Sequence, residues 1–327
     1  MRKTIMLLDK DPTHLPPLPS WVTPNHGKAP ECEAFLSGAS LAMLHMMLAD
    51  LANTLPAELL RNRLALRAAE ACLKHEGRRD SEAEIRDAYY LARAGDELGP
   101  AGEMYVRWRK LSAIGLKRRD WLGRLRSCVP EQVAEKLPEW IDNAMGQGVD
   151  QGVAQGKSPV AQAAAMIGLV ITAFPCEEAL ALICGDLVLA RALGWVHPVP
   201  LFGVQLKRKD LLQAAGQGRN DDLGAACHRA VAKAAQNAVR LGHDLTRRAQ
   251  RLREVAPKLR AKGSAEAVAL FLREDAVLPS TMLSPRIIGT SAGMTDRAAR
   301  RLCDRLVDLG VVRELTGRST FRLYGVA

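Results

Sequence analysis

The sequence predicts a mainly α protein: a multi-helix N-terminal body followed by a small C-terminal α+β unit. Three observations carry that expectation. Ala and Leu, both strong helix formers, supply most of an apolar content of 48%, while aromatic residues make up only 4% and strand-favouring residues are scarce before the C-terminal stretch. From residue 31 onward, apolar residues recur at helical spacing between Pro and Gly punctuation. Only residues 264–327 pass from helical periodicity into two strand-like runs around a Thr-Gly-Arg turn. A length of 327 residues allows about two domains.

Composition narrows the partners and the compartment. A net charge of +10 with a pI near 9.5 suits nucleic acid or another anionic surface and says nothing about fold. The cysteines at 32, 72, 128, 176, 184, 227 and 303 are odd in number, contain no CxxC, and sit mostly in apolar helical patterns. Reduced thiols are expected, with no disulfide framework and no zinc site. The N-terminal MRKTIMLLDK is not read as a signal peptide, because its apolar core ends at Leu8 before Asp9 and Lys10. The most apolar run, Ala163 to Phe174, is far short of the ~20 residues that span a bilayer. A cytoplasmic protein without a membrane partner is expected.

Taken in order, residues 1–30 read as an extended arm, since Pro12, Pro16, Pro17, Pro19, Pro24 and Pro30 deny backbone donors and fix φ. Trp21 within it is expected to dock on the body. Residues 31–219 read as the helical body. One helix covers 31–53, and Pro56 opens a second that ends near Gly77. Ser81 with Glu84 forms a capping-box pattern for a third. A fourth begins at Asp96 or Gly99, and a fifth opens at Pro130 with an expected interruption at Pro138. The Gly-rich segment 145–158 ends in Gly-Lys-Ser but fails as a phosphate loop, because Gln151 stands where the first glycine is required and no strand precedes it. It reads as a flexible connection with Ser158 as the next N-cap. Pro159–Phe174 and Pro175–Leu193 are apolar nearly all round and should form the centre of the core. Residues 195–206 read as an extended, proline-pinned crossing. Residues 220–263 read as a basic helical connector with a break near Pro257.

Residues 264–327 give the order of a winged helix-turn-helix: a short apolar helix, a second helical piece, a turn, an amphipathic helix, then two strands around a wing. On the amphipathic helix, Ala299, Leu302, Leu306 and Leu309 recur on one face. Arg297, Arg300 and Arg301 occupy the opposite face of its first turns, where such a helix meets base edges, and Thr295 or Asp296 would cap it. Arg318 and Arg322, on and beside the wing, are placed to reach phosphate or the minor groove. The unit holds nine Arg against seven acids, so it is almost neutral, and Arg300–Asp304 and Arg305–Asp308 pairs could equally tie up a solvated face. The preceding stretch 229–262 carries ten cations against two acids and would supply the phosphate attraction.

Two other constellations compete for attention. In residues 107–126 eight cations surround Asp120, with Trp108 and Trp121 interleaved; the tryptophans are expected to pack inward while the cations snorkel. Arg86, Asp87, Asp96 and Asp186 form a possible acid–base set, of which Asp186 lies in an apolar helix and must be paired or protonated. An arginine partner from a neighbouring helix is the structural expectation for it.

The blocks 86–111, 184–202, 256–263 and 296–325 together resemble a bacterial family called domain of unknown function 1403, over most of the chain. The resemblance implies a bacterial cytoplasmic protein and brings no activity, cofactor or site residue with it. The leading functional reading is a non-enzymatic DNA-binding accessory or regulatory protein. In it Arg297, Arg300, Arg301, Arg318 and Arg322 contact double-stranded DNA, and the body serves a homodimer, an effector or a partner. Two readings stand beside it: an enzyme using Asp96 and Asp186, and a protein–protein adaptor whose winged helix never touches DNA. No catalytic residue, cofactor or metal is assigned.

Overall fold

The computed structural model describes residues 30–49, 54–93, 95–126, 128–145, 158–217, 220–318 and 320–327. The proline-rich arm, Trp21 and the Gly-rich segment 146–157 lie outside the described residues. The architecture is mainly helical, with a two-stranded antiparallel sheet at the C-terminal end.

The body starts with α1 (Pro30–Leu48), α2 (Ala57–His75), α3 (Glu82–Tyr90) and α4 (Gly99–Ser112). The α3 start is the capping box expected from sequence: the Ser81 side chain accepts from the Glu84 N–H, and Glu84 accepts from the Ser81 N–H at 2.8 Å. Short α5 (Trp121–Arg126) leads into α6 (Glu131–Met145). Here the expected interruption at Pro138 does not occur, and the helix runs through it. Val133, Leu137, Trp140, Ile141 and Ala144 are all buried on one face, and that packing outweighs the missing N–H.

The apolar pair α7 (Pro159–Ala173) and α8 (Glu178–Ala192) pack against one another. Every residue of α8 from Glu178 to Ala190 is buried, so this helix is the centre of the core, as its all-round apolar sequence requires. Ser158 caps α7 by accepting from the Ala161 N–H. After α8 the chain crosses the core and forms one short helical turn, α9 (Phe202–Gln205), inside the stretch that the sequence presents as extended. Gly203 lies against Trp108, and a Cβ there would overlap the indole. Gly203→Ala is therefore expected to destabilise the fold by about 1–3 kcal/mol, read from a shift in the denaturant midpoint. Trp108 itself is fully buried, and Arg191 covers the ring of half-buried Trp121 at 4.6 Å. The tryptophans of the 107–126 stretch thus pack inward.

After α10 (Arg208–Gln217), the long α11 (Asn220–Val255) runs parallel to α1. Arg229 bonds Glu33 at 3.0 Å, and Gln236 bonds Ser40 at 3.1 Å further along. Ala226, Ala230, Ala234 and Ala238 are buried at four-residue intervals, and this row of small residues allows close helix approach. Much of the basic charge of 229–262 therefore sits on a helix whose other face is core. Burial pushes the thiols of Cys72, Cys184 and Cys303 up to about 12, so these cysteines act as small apolar groups.

The C-terminal unit contains α12 (Ser264–Phe271), a π turn (Pro279–Leu283), α13 (Asp296–Asp308), β1 (Val312–Glu314) and β2 (Tyr324–Val326). The strands pair with Val312 opposite Val326 and Glu314 opposite Tyr324. Val277 adds an isolated antiparallel bridge to Tyr324, and Gly317 takes a φ of 63° at the turn between the strands.

This unit is clasped to the body by charged and polar groups. Asp275, 1% exposed, lies 2.6 Å from Arg86 Nε and 3.2 Å from Arg63 Nε. The neighbouring Glu274 accepts from Arg109 at 2.8 Å and from the Tyr90 hydroxyl at 3.1 Å. The Arg109 guanidinium is held near the rings of Tyr89, Tyr90 and Tyr105, at 5.0 to 5.9 Å. Asn62 donates to the Arg273 carbonyl at 2.9 Å, and Arg63 donates to the Val326 carbonyl at 3.0 Å.

Candidate functional site

Helix α13 is built as its sequence requires. The Thr295 hydroxyl accepts from the Ala298 N–H at 3.3 Å and caps the first turn. Ala299, Leu302, Cys303 and Leu306 are buried against the π turn and β1, while Arg297, Arg300, Arg301, Asp304 and Arg305 are exposed. The outward face divides into two different surfaces.

The first is a basic cleft of about 680 Å³ between α13 and residues 258–261. Lys258, Arg260, Arg297, Arg301 and Arg305 line it together with Leu259 and Leu302, and no acidic residue is among its lining residues. None of these five cations has an ion pair within 4 Å among the described residues. The cleft also includes Thr295 at the N-terminal end of α13, where helix N–H groups favour negative charge.

The second surface is a smaller cleft of about 340 Å³ between α13, the π turn and the loop before β2. Arg300, Asp304, Arg322, Phe321 and Tyr324 line it. Its two cations are paired with acids that lie outside its lining. Arg300 pairs with Asp296 at 2.5 Å; Asp304, which the sequence offered as its partner, is left in the cleft. Arg322 donates to the Arg318 carbonyl at 3.0 Å and lies 3.8 Å from Glu314. Burial, the first of several causes, raises the Tyr324 phenol.

The five arginines singled out from sequence are thus not gathered in one place. Arg297 and Arg301 lie in the basic cleft, and Arg300 and Arg322 in the smaller one. Arg318, on the wing, donates to Asp87 of α3 at 2.7 Å. Sequence reasoning did not bring Lys258, Arg260 and Arg305 into the same cleft as Arg297. The first two were counted in the preceding basic run, and only the fold-back of the chain after α11 sets them beside α13.

The carboxylates of the alternative, enzymatic reading are apart and engaged. Asp96 accepts from the Arg93 N–H at 2.8 Å in the loop before α4. Asp186 is 1% exposed; its Oδ1 accepts from the N–H groups of Leu201 and Phe202, both at 2.9 Å, and its Oδ2 from that of Gly203 at 3.2 Å. Its partner is the uncovered start of α9, where the sequence suggested an arginine. Arg86 and Asp87 both serve the clasp on the C-terminal unit. Among the described residues, no group of three or more His, Cys, Asp or Glu stands close enough to hold a metal ion, and no helix is long and apolar enough to cross a membrane.

No curated protein matches this chain. The family model described as "Protein of unknown function (DUF1403)" matches residues 7–326, which takes in the helical body and the C-terminal unit alike. The chain therefore belongs to the DUF1403 family.

Proposed function

We propose that the chain binds duplex DNA through the basic cleft, with its C-terminal unit acting as a winged helix-turn-helix. The observation that carries this reading is the cleft itself: five cations from two separate segments, without a lining acid, beside the N-terminal end of an exposed helix. Such an arrangement releases counterions when it meets a phosphate backbone. The order α12, π turn, α13, β1 and β2, with Val277 bridged to Tyr324, supports the winged-helix reading. One departure is a single π turn where a second full helix is usual. In this reading Arg297 and Arg301 contact the nucleic acid, supported by Lys258, Arg260 and Arg305. Arg300 and Arg322 are secondary contacts, and Arg318 belongs to the clasp. The protein is then a non-enzymatic accessory or regulatory factor whose body serves dimerisation or effector binding.

Anisotropy of a labelled random duplex, titrated with the full chain between about 50 and 200 mM salt, tests this. Binding should weaken steeply with salt, and Arg297→Ala with Arg301→Ala should cost about ten- to a thousand-fold while flattening the salt slope by about one per lost phosphate contact. Arg318→Ala should leave the affinity near wild type. Absence of binding at the lowest salt would remove the DNA reading and leave the adaptor reading in its place.

A further inference from the structure

On the body, away from both clefts of α13, lies an open cleft of about 500 Å³. Four polar groups line it: His45 near the end of α1, Arg61 of α2, Lys117 in the turn after α4, and His197 of the crossing after α8. No acid is among its lining residues. Arg61 is half-buried and has neither an ion pair within 4 Å nor a hydrogen bond among the described residues. Glu58, one turn earlier, is the acid that acts on it through space, but does not line the cleft. A half-buried guanidinium with no acid in contact is costly to leave unpaired.

The walls are fixed rather than adventitious. The Leu116 N–H donates to the Val196 carbonyl at 2.8 Å, and His197 Nδ1 lies 3.2 Å from the Ile114 carbonyl. Together they hold the turn that carries Lys117 against the crossing. A carbonyl can only accept, so His197 Nδ1 carries the proton. The indole of Trp195 donates to His45 Nδ1 at 3.0 Å; an indole N–H can only donate, so the His45 proton sits on Nε2 and is available to a ligand. Ala57, in the first turn of α2, also lines the cleft. Leu48, Trp195, Val196 and Val199 supply an apolar wall, and Val196, whose carbonyl accepts from the Leu116 N–H, is 48% exposed.

We propose that this cleft binds a small organic anion, a carboxylate or phosphate monoester with an apolar or aromatic portion. Arg61 and Lys117 take the charged group, His45 Nε2–H donates to it, and the apolar portion lies on Trp195 and Val196. The volume falls within the usual range for small-molecule sites, and the mixture of apolar wall and a few convergent polar groups is the expected composition. This site stands independently of the DNA reading, since it shares no residue with the basic cleft.

Isothermal titration of the full chain with phenyl phosphate, benzoate, inorganic phosphate and benzyl alcohol tests the assignment. One of the two aromatic anions should bind at one site per chain, which also identifies the head group. Benzyl alcohol and inorganic phosphate should bind at least about ten-fold more weakly, each lacking one half of the recognised chemistry. Arg61→Gln and Lys117→Gln should each weaken the bound anion by about ten-fold or more. Lys117 is exposed, so its substitution decides the matter should Arg61→Gln fail to fold. The double variant Arg297→Ala and Arg301→Ala should bind as wild type does. The proposal is overturned if neither aromatic anion binds, if Lys117→Gln leaves the affinity unchanged, or if the α13 double variant abolishes binding.

Discussion

Replacing Asp275 with alanine is expected to destabilise the protein by about 3–5 kcal/mol. The carboxylate is 1% exposed and lies between two guanidiniums, at 2.6 Å from Arg86 and 3.2 Å from Arg63. Its two partners respond differently, for a geometric reason. Burial lowers both, but in Arg86 the charge and short hydrogen bond of Asp275 outweigh it and hold the guanidinium above its usual value. Arg63 has the longer contact, and burial wins. Removing Asp275 would leave both cations in surroundings that cannot hydrate them, and the loss of that compensation is larger than the net worth of the pairs. Among the described residues Arg86 would keep only the ion pair with Glu82, at 4.0 Å. Asp120→Ala is the control, since its partners Arg118 and Arg124 are all on the surface; it should change the urea midpoint little. Equal midpoints for the two variants would show that the clasp adds nothing to stability.

Asp186→Ala should cost about 3–5 kcal/mol, because it leaves the buried N–H groups of Leu201, Phe202 and Gly203 without their acceptor. Asp186→Asn keeps Oδ1, which accepts two of the three bonds, and should be milder. The two substitutions also differ from wild type in pH dependence. Burial pushes Asp186 up to about 7, despite the three N–H donors that pull it down. The unfolded chain releases this proton near the ordinary aspartate value of about 3.9, while the folded chain keeps it until about 7. The stabilisation is therefore complete below the unfolded value and is lost as pH rises through the folded one. Urea unfolding between about pH 4 and pH 7 should show the gap between wild type and Asp186→Asn narrowing as pH increases. A constant gap would mean that the carboxyl is ionised throughout.

Much of the helical order was legible because its signals are local. The Ser81–Glu84 box, the Ser158 and Thr295 caps, and the buried face Ala299, Leu302 and Leu306 each depend on residues a few positions apart. Pro138 was misleading because a proline's cost is local while the packing that overrides it, through Leu137, Trp140 and Ile141, is tertiary. The candidate site was legible only in part for the same reason. Arg300 can reach an acid four residues on either side of it, and spacing alone does not choose Asp296 over Asp304. The Asp87 partner of Arg318 lies 231 positions away. The cations facing Arg297 come from a segment that meets α13 only after the chain has folded back on itself. Sequence identified Asp186 as a carboxylate in need of a partner, but its partner is backbone, which carries no residue signature.

Two adjacent residues of α2, Asn62 and Arg63, grip the Arg273 and Val326 carbonyls, so both flanks of the C-terminal unit are fastened to one turn of a core helix. A loosely tethered module would open on its own, with its amides exchanging at low protection while the body stayed closed. With this double grip, opening the unit requires disturbing α2, which reaches the middle of the body through Leu59, Leu60 and Leu64. The consequence is cooperativity: body and C-terminal unit should melt in one calorimetric transition, and amide exchange in α12 and β2 should follow the global unfolding free energy.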